Sequence, residues 1–172
     1  MTDFEGVLRT LTSGNVEFIL IGGMAAIVHG SSRVTEDLDV VYSRSPENLN
    51  RLVTAMTPLK PYLRGAPPGL PFLWDTRTLE RGLNFTLVTS LGDVDLLGEI
   101  VGGGGYDDLR PHVVQIEVFG ITCQCIGLDR LIVVKRATGR PKDLDVAAEL
   151  ESLRDERGAA GADAEDPNER AS

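Results

Sequence analysis

Two acidic residues one position apart, Asp37 and Asp39, give the strongest indication of chemistry in this chain. On a strand, side chains two positions apart point to the same side, so both carboxylates would face one way while Leu38 and Val40 enter the core. Carboxylate oxygens are ligands that Mg²⁺ favours, and two such ions about 3.5 to 4 Å apart stabilise the attacking and leaving oxygens of a displacement at phosphorus. The alternative is a solvated strand end with two exposed acids. The pair by itself leaves both interpretations open.

A second acid pair and a double glycine strengthen the first interpretation. A two-metal site usually takes a third carboxylate from elsewhere in the chain, and Asp93 and Asp95 lie on a predicted strand. Gly22 and Gly23 precede the first pair, and backbone amides without a side chain can approach a triphosphate closely. The two glycines can equally form a tight turn from strand to helix, and both roles are compatible. Together these residues predict a divalent-cation site beside a phosphate-binding turn.

Apolar patterns predict the elements that carry these residues. An amphipathic helix runs from Phe4 to Leu11, and the apolar residues 18–21 predict a buried strand before the double glycine. Further elements follow in chain order: a helix-like segment 24–29, a strand 38–42, a helix opened by Ser45 and Pro46, strands 84–89 and 94–97, a hairpin of 113–118 and 121–126, and helices 128–137 and 142–153. Between them, the proline-rich residues 58–83 are expected to form a surface excursion, either a lid or a loop that faces the substrate, and residues 102–105 are expected to form a flexible link.

Length and composition favour one folded domain. The chain has 172 residues, of which 42% are hydrophobic and 25% charged, as in soluble globular proteins. We expect one domain over residues 1–153 and a disordered acidic tail over residues 154–172, which offer little to bury. No apolar run approaches the roughly 20 residues that span a bilayer, and the first residues lack the pattern of a secretory signal. These features predict a cytoplasmic protein with no membrane partner.

The net charge of −9 is unevenly distributed. Residues 149–172 carry eight acids against three bases, whereas residues 44–81 carry six bases against three acids. Several acids elsewhere are candidate metal ligands, and bound cations would neutralise their charge. The charge distribution therefore permits a polyanionic substrate without requiring one.

Three segments resemble a known family. The stretch GGMAAIVHGSSRVTEDLDVV, residues 22–41, resembles the signature of the DNA polymerase beta-like nucleotidyltransferase superfamily, in which a glycine turn precedes an Asp-x-Asp strand. More narrowly, LGDVDLLGEIVGGGGYDDL and LDRLIVVKRATGRPKDLDVAAEL resemble segments of the small AbiEii/MenT-type nucleotidyltransferase toxins. The similarity covers roughly residues 15–150. It implies an α+β nucleotidyltransferase fold, with a mixed β-sheet flanked by helices and a C-terminal helical segment.

The resemblance also implies roles for the motif residues. Gly22 and Gly23 become the phosphate-contacting turn. Asp37 and Asp39 become the principal metal ligands and catalytic acids, completed by Asp95, which is also a candidate base toward the acceptor hydroxyl. The implied cofactor is Mg²⁺ or Mn²⁺, and the implied substrate is a nucleoside triphosphate (NTP).

The C-terminal motif supplies the expected contacts to the nucleotide. Lys135 is the expected catalytic contact to the phosphates, although it can also be a favourable charge near a helix C-terminus. The other nucleotide-binding candidates are Arg33, Arg140, Lys142 and Asp143. Lys142 has the alternative role of a solvated helix face.

The leading functional hypothesis is transfer of a nucleoside monophosphate (NMP) to an RNA hydroxyl, with a tRNA 3′ end as its specific form, by the toxin of a toxin–antitoxin system. In it, residues 44–81 receive the acceptor backbone and a cognate antitoxin is a candidate partner. Thr35, just before the acid pair, is a candidate site of regulatory phosphorylation, which would add negative charge beside the metals. His29 is expected to pack or cap a helix. Two alternatives remain: adenylylation of an aminoglycoside-type small molecule, and a catalytically silent fold member that binds a partner.

Overall fold

The computed structural model describes residues 1–163, which contain seven α-helices and nine strands. The helices are α1 (Phe4–Ser13), α2 (Gly22–Val28), α3 (Pro46–Met56), α4 (Thr76–Arg81), α5 (Tyr106–Leu109), α6 (Leu128–Thr138) and α7 (Pro141–Asp163). The strands are β1 (Phe18–Ile21), β2 (Leu38–Tyr42), β3 (Tyr62–Leu63), β4 (Asn84–Thr89), β5 (Gly92–Leu97), β6 (Glu99–Ile100), β7 (Gly104–Gly105), β8 (Val113–Val118) and β9 (Ile121–Ile126). None of the helices within residues 1–163 has the length and apolar composition to cross a bilayer.

Seven strands form one mixed sheet in the order β3-β4-β5-β2-β1-β9-β8. The hairpins β4–β5 and β8–β9 are antiparallel, as are the pairs β1–β2 and β3–β4. Two parallel pairings, β2 with β5 and β1 with β9, join these units. The pairing of β2 with β5 places the two acidic strands side by side in the middle of the sheet.

Helices pack on the sheet around one apolar core. In α1, Val7, Leu8 and Leu11 are fully buried, as the helical spacing predicts. In α3, the side chain of Ser45 accepts a hydrogen bond from the backbone N–H of Asn48 and so caps the helix. The C-terminal segment consists of α6 and α7, which pack against each other. The predicted fold class, a mixed sheet flanked by helices with a C-terminal helical segment, is confirmed.

Three segments differ from the sequence-based expectation. Residues 58–83 contain β3 and α4, because Tyr62 and Leu63 extend the sheet by pairing with β4. Within residues 102–105, β7 pairs with β6 instead of forming only a flexible link. Residues 154–163 continue α7 in place of the predicted disordered tail, because the alanine, glutamate and arginine residues there are good helix formers. The rest of the predicted tail lies outside the described residues, and the domain boundary at residue 153 stays a prediction.

Candidate active site

The acids of the two motifs lie next to each other. Asp39 on β2 and Asp95 on β5 are direct partners in the parallel register, and Asp93 lies two residues earlier on β5. Asp37 immediately precedes β2 and does not lie on the strand as predicted, which leaves its side chain 39% exposed against 17% for Asp95. Asp37, Asp39 and Asp95 nevertheless border one cavity. The structure thus gathers the three predicted ligands, whose role in metal binding stays a prediction.

Crowding of the acids alters their protonation. Burial raises the pKa of Asp39 to about 8, and a hydrogen bond with Asp95 and the negative charges of Asp95 and Asp37 act in the same direction. The positive charge of Lys135 opposes this shift. Burial also raises the pKa of Asp37, against the lowering effect of the Arg64 guanidinium. Negative charge at this point is therefore costly unless a cation accompanies it.

The two glycines bring the turn between β1 and α2 against this cluster. Gly22 has a φ of +69°, and a Cβ atom there would lie 2.1 Å from Oδ2 of Asp39. A Cβ atom on Gly23 would lie 2.5 Å from Oγ1 of Thr35. Neither position has room for a side chain, so the backbone of the turn is held close to the acids at the start of α2.

Asp143 at the start of α7 organises the basic residues of the site. Its buried carboxylate accepts hydrogen bonds from Lys135 (3.0 Å), Thr138 (2.7 Å) and Arg140 (2.8 Å). Burial acts to raise the pKa of Asp143, but these donors together outweigh it and hold the pKa below its usual value. The Lys135 side chain is 15% exposed, whereas that of Arg140 is 75% exposed. Asp143 thus positions Lys135, whereas its predicted part in nucleotide binding stays a prediction.

A second carboxylate on α7 holds the loop that leads from α2 to the acids. Glu149 accepts hydrogen bonds from the hydroxyls of Ser31 (2.8 Å) and Ser32 (3.1 Å) and from the backbone N–H of Ser32 (2.8 Å). Arg33 lies 3.7 Å from the same carboxylate, so its guanidinium is engaged with Glu149 at the rim of the cavity. In the same loop, the hydroxyl of Thr35 donates to the backbone carbonyl of Asp37 at 3.2 Å. Glu149 was not predicted as a site residue, since only the tertiary fold brings it to this loop.

Arg64 is the unexpected member of the site. It follows β3, and its guanidinium lies 2.8 Å from Asp95, 3.4 Å from Asp93 and 3.7 Å from Asp37. The sequence shows it only as one of six basic residues between positions 44 and 81. Its location depends on the two-residue strand β3, which no local pattern predicts.

His29 has the structural role that was expected. It lies at the C-terminal end of α2, where its backbone N–H donates to the carbonyl of Ala25, and its Nε2 lies 2.7 Å from the carbonyl oxygen of Ile126.

A cavity of about 580 Å³ lies among the predicted site residues. Every predicted site residue borders it except Gly22, which contacts Asp39 directly. The predicted residues at the cavity are Gly23, Arg33, Thr35, Asp37, Asp39, Asp95, Lys135, Arg140, Lys142 and Asp143. The cavity is thus lined by both carboxylates and basic side chains, a combination that suits a polyphosphate bound through divalent cations.

The donor set matches Mg²⁺ or Mn²⁺ in its chemistry. Asp37, Asp39 and Asp95 provide carboxylate oxygens only, and a divalent cation among them would offset the burial and the neighbouring negative charges that raise the pKa of Asp39. Among residues 1–163, however, no three acidic, histidine or cysteine side chains converge closely enough to hold an ion without adjustment. Arg64 lies among three of the acids and pairs with each of them.

Comparison with known proteins identifies the fold. No family model matches the sequence, and no curated protein matches it. The solved structures that are similar to this chain include the following three. A lincosamide antibiotic adenylyltransferase, LnuA, with lincomycin bound has a TM-score of 0.57 and 14% identity, covering 87% of this chain and 94% of its own.

The other two similar structures cover comparable shares of the chain. A proposed nucleotidyltransferase from Thermotoga maritima has a TM-score of 0.51 and 13% identity over 90% of each chain. An antigenic nucleotidyltransferase-like protein from Paracoccidioides brasiliensis has a TM-score of 0.53 and 15% identity over 86% of this chain and 72% of its own. At these identities the likeness extends to the fold, and the narrower resemblance to AbiEii/MenT toxins stays a prediction. The chain has the nucleotidyltransferase fold.

Proposed function

We propose that this protein transfers the NMP group of an NTP to an acceptor hydroxyl and releases pyrophosphate. The observation that carries the proposal is the register of the sheet, in which Asp39 of β2 lies beside Asp95 of β5. Asp37 adjoins this pair, the Gly22 turn lies against it, and Lys135 borders the same cavity. The arrangement brings carboxylates and candidate phosphate-binding groups together at one cavity.

Different residues have different roles in the proposed reaction. Divalent cations held by Asp37, Asp39 and Asp95 would neutralise charge on the phosphates when bound. Backbone amides at Gly22 and Gly23 bind triphosphate oxygens, and Lys135 moves from Asp143 to a phosphate oxygen. The acceptor oxygen forms a bond to the α-phosphorus as the bond to the bridging oxygen breaks. The hydroxyl proton passes to Asp95, and the electron pair of the broken bond leaves with pyrophosphate.

Arg33, Arg140 and Lys142 complete the proposed nucleotide site. Their side chains border the cavity, and all three residues are exposed at its rim. The Arg33 guanidinium lies 3.7 Å from Glu149, and Nε of Arg140 bonds to Asp143 at 2.8 Å. Binding of a triphosphate would add a second anionic partner to both arginines.

RNA is the first candidate acceptor, with a tRNA 3′ end and a toxin role as the specific form of the hypothesis. Arg51, Lys60, Arg77 and Arg81 are exposed and could contact a phosphate backbone. Two basic residues of the same stretch serve inside the protein: Arg64 pairs with the acids, and Arg44 bonds to the hydroxyl of Tyr42 and to backbone carbonyls. The basic surface available to RNA is therefore smaller than the sequence suggests.

A small-molecule acceptor is the second candidate. LnuA, the lincosamide antibiotic adenylyltransferase that shares the fold over 87% of this chain, contains bound lincomycin. The acidic net charge of −9 would favour a cationic acceptor such as an aminoglycoside. Both acceptors use a hydroxyl nucleophile, so the proposed chemistry is the same for either one.

Acceptor choice can be tested in one experiment. Each of the four NTPs, labelled at the α-phosphate, is incubated with Mg²⁺ and either total cellular RNA, an aminoglycoside panel or a lincosamide panel, beside the Asp39→Ala variant. Label on RNA that depends on Asp39 supports an RNA acceptor, and label on a small molecule supports the alternative. Absence of label in every mixture, with Mg²⁺ or Mn²⁺, would instead favour a silent, partner-binding protein.

The toxin hypothesis needs a separate test. Growth arrest on expression of the wild-type protein, but not of Asp39→Ala, would support it, and release of the arrest by a neighbouring gene product would identify the antitoxin. Loss of toxicity and of transfer in Thr35→Glu would support Thr35 as a regulatory site. Unchanged activity in that variant would argue against it.

A further inference from the structure

We infer that Arg64 is a resident counter-cation of the acidic cluster, which competes with divalent cations for Asp95 and so weakens metal binding in the absence of nucleotide. The inference rests on the proposed function, because it takes the cluster to be a metal site. It adds a regulatory positioning residue that lies outside the motifs.

The contacts of Arg64 place one positive charge among three negative ones. Nη2 lies 2.8 Å from Oδ1 of Asp95, Nη1 lies 3.7 Å from Oδ2 of Asp37, and Nε lies 3.4 Å from Oδ2 of Asp93. Nε is buried and has no hydrogen-bond partner of good geometry, so the contact with Asp93 is electrostatic. Among the described ion pairs, Arg64 reaches these three acids and not Asp39.

Arg64 is also anchored to the sheet. Its backbone N–H donates to the carbonyl of Thr86 at 3.0 Å, and Nη2 donates to the carbonyl of Leu87 at 2.9 Å. These bonds to β4 continue the pairing of β3 and hold the guanidinium beside Asp95. The side chain is 28% exposed, so solvent screens its charge only in part. A surface arginine with no fixed partners would not have this effect.

Competition follows from charge and from shared ligand oxygens. The guanidinium of Arg64 brings a positive charge to the oxygens that a metal ion would bind. A metal ion that binds Oδ1 of Asp95 must displace Nη2, and an ion that binds Asp37 nearby is repelled by the same guanidinium. A bound NTP would change the balance, because its phosphates bring negative charge that attracts the cations. Metal binding should therefore be weak without nucleotide and should strengthen when nucleotide is present.

The test is titration of the nucleotide-free protein with Mn²⁺, in which the electron paramagnetic resonance signal of the free ion reports how much Mn²⁺ is unbound. Loss of one adjacent positive charge in Arg64→Gln is expected to tighten Mn²⁺ binding about tenfold or more. Arg64→Lys keeps the charge and should bind Mn²⁺ less tightly than Arg64→Gln. Arg44→Gln is the matched control, because it removes another internally bonded arginine whose hydrogen bonds go to Tyr42 and to backbone carbonyls.

The outcomes separate this inference from the proposed function. Equal or weaker Mn²⁺ binding by a folded Arg64→Gln overturns the inference, as does absence of binding in both wild type and variant. If Arg64→Gln does not fold, the Nε–H resonance of Arg64 in the wild type provides the test, since it should shift on addition of Mg²⁺. An unchanged resonance at saturating Mg²⁺ overturns the inference. Transfer of α-label is measured independently and reports on the proposed function alone.

Discussion

Replacement of Gly22 by alanine tests the contact between the turn and the acids. The residue has a φ of +69°, a conformation that costs an alanine about 1 to 2 kcal/mol. The added methyl group would also lie 2.1 Å from Oδ2 and 2.8 Å from Cβ of Asp39. Because Cβ is fixed to the backbone of β2, a side-chain rotation cannot relieve the overlap, and the strand or the turn must move. Overpacking of this kind costs about 1 to 3 kcal/mol, so we expect Gly22→Ala to lose about 2 to 5 kcal/mol in total.

Gly120 offers a matched control for the conformational cost that a positive φ imposes on alanine. Its φ is +71°, and a Cβ atom there would meet no atom within 4 Å. Gly120→Ala should therefore lose only the conformational cost of about 1 to 2 kcal/mol. Urea unfolding of both variants, at pH 7 with EDTA, gives their free energies of unfolding, and the difference between these values is the cost of the overlap with Asp39. Mn²⁺ binding should also weaken in Gly22→Ala and stay unchanged in Gly120→Ala. If Gly22→Ala were as stable as Gly120→Ala, the close approach of the turn to Asp39 would be refuted.

Three further predictions concern carboxylates at the site. Asp39→Asn should stabilise the metal-free protein by up to about 5 kcal/mol at pH 8 and by little near pH 4. The folded pKa of Asp39, about 8, exceeds the unfolded pKa of about 3.9, so the wild type loses stability as the pH rises between these values. Equal unfolding curves for the two proteins across that range would contradict this prediction. Asp143→Asn should destabilise the fold by about 2 to 4 kcal/mol and raise the KM for NTP, because Lys135 loses its carboxylate partner; unchanged stability and KM would count against it. Glu149→Gln should speed hydrogen exchange in residues 30–36, because Glu149 bonds to Ser31 and Ser32 in this loop. Glu151→Gln on the same helix should not, because Glu151 bonds to Arg136. Equal exchange in the two variants would argue against the hold of Glu149 on the loop.

Local pattern was enough to predict most of the elements. The spacing of apolar residues predicts α1, and alternation predicts the hairpins β4–β5 and β8–β9. The acid pairs and the double glycine are sequence features that can be recognised without the fold. These predictions succeed because each depends on residues that are neighbours in the chain.

Features that depend on long-range pairing could not be predicted in this way. Contact between Asp39 and Asp95 requires the parallel pairing of β2 with β5, which are separated in the chain by the helices α3 and α4 and the strands β3 and β4. Arg64 reaches the acids only because Tyr62 and Leu63 add a two-residue strand to β4, and such a short strand has no periodicity to detect. Glu149 meets Ser31 across 118 positions of sequence. In each case the partner is selected by topology, so residue type alone does not reveal it.

At two places the local structure differs from the one that the sequence pattern predicts. Asp37 was expected on the strand beside Asp39, but the backbone becomes extended and paired only at Leu38. Asp37 still reaches the cavity because it adjoins the strand end. The extension of α7 was missed because a composition with little to bury was interpreted as disorder, although the same residues favour a helix.

The position of the label in the product tests the central claim most directly. The wild-type protein is incubated with the preferred NTP and acceptor, labelled in parallel reactions at the α-phosphate and at the γ-phosphate, beside Asp39→Asn. Nucleotidyl transfer predicts α-label on the acceptor, γ-label in pyrophosphate and neither product with Asp39→Asn. Transfer of γ-label to the acceptor, release of γ-label as inorganic phosphate, or full activity of Asp39→Asn would contradict it.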